Sequence, residues 1–195
     1  MKTARNWTAL ALIGLASVLG IQAQQQGGSQ GEKPAPIVRG AGGDIPDSQA
    51  FIDYTSPLGD YSLKAPEGWG RVGGENDIAF ADKFNGLKVE LRDFVGTLTI
   101  DGATSAIVPE IVKAGRAVSV KSVLALRRKG GQAIVVTYES NSDPNPVTNR
   151  QIRLEDKAYL FLERGKLAIV TVWAPWGADN ADQWNLISDS FRWHR

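Results

Sequence analysis

The chain has 195 residues, 22 Lys and Arg against 21 Asp and Glu, and no cysteine. A formal net charge of +1 excludes the basic excess of a nucleic-acid binder. The missing thiols exclude disulfides, thiolate metal sites and a lipid anchor of the bacterial lipoprotein type, so stability has to come from a packed core.

Lys2 and Arg5 precede an uncharged, mostly apolar run from Thr8 to Ile21, and Ala23 stands before three glutamines. This is the layout of a secretory signal peptide over 1–23. The run is shorter than the ~20 residues a membrane-spanning helix needs, so a buried helix or a short anchor is the alternative to cleavage. Residues 24–48 are rich in Gln, Gly and Pro with few large apolar groups, and read as a flexible linker. A single globular domain is expected over 49–195.

Phe51 to Tyr54 and Tyr61 to Ala65 flank Ser56-Pro57-Leu58-Gly59-Asp60, a strand–turn–strand pattern. Ile78 to Ala81 and Leu87 to Phe94 form a second pair, with Asn85-Gly86 as the expected turn. Leu87, Val89 and Leu91 alternate with Lys88, Glu90 and Arg92, giving one buried and one wet face. Ile107 with Ile111 and Val108 with Val112 repeat at helical spacing; Thr104 or Ser105 is the expected cap, Pro109 belongs in the first turn, and Gly115 stops the helix.

Four longer strands follow. Ala117 to Arg127 and Gln132 to Glu139 join across Lys129-Gly130-Gly131, and Gln151 to Glu163 and Lys166 to Ala174 join at Arg164-Gly165. Leu167 to Trp173 is apolar on both faces apart from Thr171, as in a covered central strand. A last helix is expected with Asp179 as N-cap, Asp182 in its first turn, and Trp184, Ile187 and Phe191 on one stripe. Hairpins with two separated helices predict an α+β domain, a central antiparallel β-sheet flanked by helices.

Motifs that imitate chemistry fail on context. Gly68-Trp69-Gly70-Arg71-Val72-Gly73 matches G-x-G-x-x-G, but Pro66 precedes it and Gly74-Glu75-Asn76-Asp77 follows, a turn and not a strand-to-helix junction. Asn141, Asp143 and Asn145 imitate a calcium loop, yet Pro146 and Ile152 occupy the positions of its glycine and bidentate acid; a loose cation site is what remains. His194 is the only histidine, and its place beside the chain end does not suit a rigid triad. Asp179 and Asp182 are explained by capping. Arg127-Arg128-Lys129 reads as a solvated turn or one contact point for an acidic partner. Of the tryptophans, Trp69, Trp173, Trp184 and Trp193 are expected in or beside the core, and Trp176, between Pro175 and Gly177, is the one expected to be exposed. No catalytic, cofactor-binding or metal-ligating residue is assigned.

The order of several short pieces is informative. These are Tyr54-Thr55-Ser56-Pro57-Leu58-Gly59-Asp60-Tyr61-Ser62-Leu63 with Pro66-Glu67-Gly68-Trp69, then Ile78-Ala79-Phe80-Ala81-Asp82 and Leu98-Thr99-Ile100-Asp101. Tyr138-Glu139, Arg164-Gly165-Lys166-Leu167, Ala174-Pro175 and Ser190-Phe191 complete them. Over Phe51 to Trp193 the chain thereby resembles the PsbP family, which shares its fold with Mog1. The resemblance implies a Mog1/PsbP-like α-β-α sandwich without enzymatic activity, acting as an extrinsic subunit or assembly factor such as those of photosystem II. Calcium belongs to that family picture, but no motif here supplies ligands for it, and no cofactor is expected.

The expected function is a non-catalytic exported module in the periplasm, thylakoid lumen or extracellular space. It would be a monomer when free and dock on a larger, membrane-associated complex, without nucleic acid and without its own lipid anchor. The alternative is a small-ligand-binding protein or enzyme that uses a cavity between sheet and helix. Convergent perturbed titratable groups in a concave site would favour that alternative; a contiguous exposed patch would favour docking.

Overall fold

The computed structural model describes residues 31–38, 40 and 42–194, so the expected leader at 1–23 lies outside the described residues. The strands are β1 (Phe51–Thr55), β2 (Tyr61–Pro66), β3 (Gly70–Gly73), β4 (Asp77–Asp82), β5 (Asn85–Asp93), β6 (Ser119–Arg128), β7 (Gly131–Asn141), β8 (Arg153–Glu163), β9 (Lys166–Pro175) and β10 (Arg192–Trp193). Between β5 and β6 run α1 (Ile100–Gly102), a π-helical turn (Ala103–Ile107) and α2 (Val108–Ala114); α3 (Ala181–Ser190) follows β9.

Seven strands pair in the order β3-β4-β5-β9-β8-β7-β6, each pair antiparallel, and β1-β2-β10 form a small second sheet. The fold is α+β and dominated by antiparallel sheet. β9 lies in the middle of the large sheet, which is why Leu167 to Val172, apart from Thr171, can be apolar on both sides.

Alternation along the strands divides the core in two. Val135, Tyr159, Phe161 and Val170 cluster with Trp184, Ile187 and Phe191 from the α3 region. Phe161 stacks on Phe191 with centroids 4.5 Å apart, and Phe191 on Tyr61 at 5.7 Å. The residues between them, Ile134, Val136, Leu160 and Ile169, cluster with Ala103 and Ile107 of the π-helical turn. Among the described residues no helix is long and apolar enough to cross a membrane.

Three expectations need correction. The β4–β5 turn is Lys83-Phe84, not Asn85-Gly86: Lys83 takes the left-handed conformation (φ 52°), while Asn85 and Gly86 pair with Asp82 and Ala81. Asn85 is buried and accepts from Asn180 Nδ2 at 3.3 Å, so long-range packing overrides the local turn preference. The first helix starts at Ile100, capped by Thr99 Oγ1, which accepts from Gly102 N at 3.0 Å; Thr104 and Ser105 lie inside it. Pro109 cannot donate a backbone bond to the preceding turn, and the π-helical turn just before it takes up that defect. The N-cap of α3 is Asn180, not Asp179, and its side chain makes no capping bond.

Within residues 24–48, several of the described residues hydrogen-bond to the domain. Asn180 holds this segment with both arms of its amide: Oδ1 accepts from Ile45 N at 2.6 Å and Nδ2 donates to Gly43 O at 2.8 Å. Gln183 Nε2 donates to Ile45 O, and Ile45 itself is 4% exposed. Further up, Asn141 binds Ala35 N, Lys33 O and Glu32 Oε1.

Candidate functional site

The α1–α2 segment covers only part of its face of the large sheet. Beside it lies a cleft of about 1000 Å³ walled by Ile107, Glu110 and Ile111, by the loop after β7, and by the tip of the β4–β5 hairpin. Cross-strand register lays one row across its floor: Tyr138 of β7 opposite Asp156 of β8, Asp156 opposite Trp173 of β9, and Trp173 opposite Gly86 of β5. An acid thus sits between two aromatic positions on a sheet face. The indole of Trp173 lies over Gly86 so closely that a Cβ there would fall 1.8 Å from its Cζ2. Glycine is needed at 86 for that approach, not for a turn.

Asp156 is 5% exposed and accepts a hydrogen bond from Ser140 Oγ at 2.8 Å. Burial pushes its carboxyl up to about 7, against the opposing pull of Ser140 and Arg153. Tyr138 is also pushed well up, by burial first and then by the charges of Asp156 and Glu90. The cations lower in the cleft wall carry their own carboxylates: Lys88 pairs with Glu90 at 2.9 Å, Arg116 with Glu32 at 3.0 Å, and Arg92 with Glu110. The site therefore combines a buried carboxyl pushed up toward neutrality, two aromatic side chains and an apolar helix wall.

One residue along β7, on the opposite face, Glu139 has the reverse environment. Burial would raise it, but Lys121, the Trp176 indole N–H and Arg153 together hold it below its usual range. Arg153, 4% exposed, also donates to Asn141 Oδ1 and to the carbonyl of Ala117, a non-glycine residue at φ 43°. This is a structural junction: it fixes the β6 start, the β7 end and, through Asn141, the docked N-terminal segment.

The residues singled out in the sequence do not converge. Gly70 to Gly73 form edge strand β3, with no helix behind it to receive a phosphate. Asn141 is consumed by the junction, and Asn145 Oδ1 accepts from Val147 N and Thr148 N, so neither is turned toward Asp143 as a ligand. Among the described residues no three His, Asp or Glu side chains gather as a metal site. His194 is exposed but held, its N–H on Asp60 O and its ring 2.8 Å from Ser62 Oγ. It borders a smaller hollow of about 470 Å³ in which Lys166 pairs with Asp93 at 2.7 Å.

Arg128 lies 5.2 Å over the Tyr159 ring and 3.7 Å from Asp189, leaving Arg127 and Lys129 as the solvated part of that turn. Trp176, expected to be exposed, is partly buried against Glu139. Asp179 N donates to Asp44 Oδ1, and Asp182 stands in the first turn of α3. Asp156 was the residue to notice. In the inward set Leu154-Asp156-Ala158-Leu160 it is the one charge, and an acid on a buried strand face signals either a partner or a site.

No family model matches the chain, and no curated protein matches it. A crystal structure from Bacteroides thetaiotaomicron at 1.50 Å resolution superposes with a TM-score of 0.50 and 9% identity, covering 73% of this chain and 48% of that one. The likeness is one of fold alone. The chain spans about half the length of that protein. A Pseudomonas aeruginosa protein of unknown function shares 12% identity over 64% of this chain and 82% of its own, at a TM-score of 0.37, too low to carry an argument.

Proposed function

We propose that the chain is a binding module whose small organic ligand enters the cleft between the large sheet and the α1–α2 segment, and that it holds this ligand without chemical turnover. One observation carries the reading: Asp156, buried and without an ion pair, lies on the floor of a concavity of about 1000 Å³ between Tyr138 and Trp173. Such a carboxyl costs stability, and costs of this kind are characteristic of sites. The test is a ligand-observed NMR screen of polar fragments against the full chain, with folded Trp173→Leu alongside. Fragments that bind the parent and not the variant support the reading. Binding indifferent to Trp173, or none at all, overturns it.

A second reading rests on the fold. The two apolar clusters recruit different helical segments, α3 to one and the π-helical turn to the other, which favours the finer Mog1/PsbP-like α-β-α arrangement. With it comes the accessory role: an exported module docked on a membrane-associated complex, photosystem II where the source is an oxygenic phototroph. Fractionating source cells decides it. Co-migration with the complex outside the cytoplasm supports docking, and a cytoplasmic, unassociated protein sinks it.

A further inference from the structure

We infer that the cleft takes an organic ammonium group, bedded on the Tyr138–Asp156–Trp173 row. This rests on the cleft being a binding site and adds the class of its ligand.

Charge bookkeeping in the wall points to a cation. Lys88, Arg92 and Arg116 are already neutralised by Glu90, Glu110 and Glu32, and Lys83 stands out in solvent at the hairpin tip. Arg153, on the same strand as Asp156, directs its guanidinium to Glu139, Asn141 and the Ala117 carbonyl. Away from Lys83 at the hairpin tip, an anionic ligand would have to displace a carboxylate from one of these pairs. A cation meets the opposite situation: a buried carboxyl whose bonded neighbour is a neutral serine.

The flanking groups suit the same ligand. Electron-rich rings attract ammonium groups, and the register places an aromatic residue on each side of the acid, Tyr138 on β7 and Trp173 on β9, the latter with its indole laid over Gly86. The apolar wall of Ile107 and Ile111 can cover an attached carbon skeleton. Neutral polar ligands would leave the carboxyl buried beside them without a charge partner.

The proton balance makes the idea measurable. The groups facing Asp156 are Tyr138 and Ser140 from β7, Trp173 and Thr171 from β9, and Lys88 with Glu90 from β5; Arg153, Glu155 and Glu139 act from its flanks. Below neutrality the carboxyl holds a proton. Binding R–NH₃⁺ then expels that proton to the buffer, leaving carboxylate and ammonium as an ion pair, so affinity falls as the solution is acidified.

The experiment is calorimetry of the full chain with three probes of similar size: phenethylamine, 2-phenylethanol and 3-phenylpropionate. Near pH 8 the amine should bind about tenfold or more tighter than either of the others. Its affinity should drop about tenfold near pH 6, with proton release visible as a dependence of the heat on buffer ionisation. Asp156→Asn should bring the amine down to the level of the alcohol and flatten its pH profile. Trp173→Leu should weaken binding while keeping the pH profile; both variants are checked for folding by circular dichroism. If the alcohol or carboxylate binds as well as the amine and loses binding in Trp173→Leu, the cation inference fails while the cleft stands. If none of the three binds, the cation inference fails and the fragment screen alone judges the cleft.

Discussion

On β7 and β8, neighbouring residues meet opposite fates. Val135, Tyr159 and Phe161 disappear beneath α3 into a continuous aromatic core, whereas Tyr138 and Asp156 face a cleft that the α1–α2 segment leaves open. Strand propensity does not separate the two faces, since the same strands supply both. Cover does. Trp184, Ile187 and Phe191 of the α3 region cluster with Val135, Tyr159 and Phe161, while Ala103 and Ile107 cluster with Ile134, Val136, Leu160 and Leu167 and reach as far as Tyr138. The two carboxylates of this region show the consequence. Glu139 is ion-paired to Lys121 and Arg153 and is held low; Asp156 has no ion pair, and burial outweighs the pull of Arg153 and pushes it up.

The closed face should tolerate loss least. Phe161→Ala removes a fully buried ring stacked at 4.5 Å on Phe191, and should destabilise the fold by about 3–5 kcal/mol. The shift in urea midpoint measures it. A loss below about 1 kcal/mol would mean that this face is no tighter than the cleft.

Asp156→Asn should do the opposite, and only at some pH values. Between its ordinary 3.8 and about 7, the folded carboxyl keeps a proton that the unfolded chain has released. Stability contributed by this group is therefore present below the unfolded value and lost as pH rises toward 7. An amide does not ionise. The variant should come close to the parent near pH 4 and exceed it by roughly 4 kcal/mol near pH 8. Urea unfolding across that range checks the sign, and a pH-independent difference would rule out a buried acid as the cause.

The docked N-terminal segment belongs energetically with the closed face, since Ile45 inserts against Asn180 and Gln183 beside α3. Ile45→Ala should cost about 2 kcal/mol and expose the neighbouring residues to protease. Unchanged cleavage between Glu32 and Gln49 would place the segment outside the cooperative unit.

Much of the sheet was legible because its cause is local. Alternation at Leu87, Val89 and Leu91, and the turn at Arg164-Gly165, act within a few residues, and the observed hairpins follow them. Three things were not legible. Asn85-Gly86 serves partners about ninety residues away, Trp173 and Asn180, so its turn signal misleads. The docking of Ile45 depends on an amide clamp that composition cannot reveal. Asp156 was visible as a break in the inward pattern of β8. That it floors a cleft depends on how far α1–α2 extends over the sheet, which is a matter of tertiary cover.

Gly86 ties the two faces into one test. An added Cβ would overlap the Trp173 indole, and the ring has to leave the sheet, while the backbone of β5 needs no unusual φ at this position. Gly86→Ala should thus cost about 1–2 kcal/mol through displaced packing and not through backbone strain. If so, the cost should nearly vanish in a Trp173→Leu background, because the obstructing ring is gone. The double-mutant cycle would then show a coupling of comparable size and opposite sign. A Gly86→Ala cost that persists without the tryptophan would show that β5 itself demands glycine, and Trp173 would lose its place as the organiser of the open face. The same variant should weaken ligand binding in the cleft while leaving the Phe161–Phe191 stack intact, which separates damage to the site from damage to the fold.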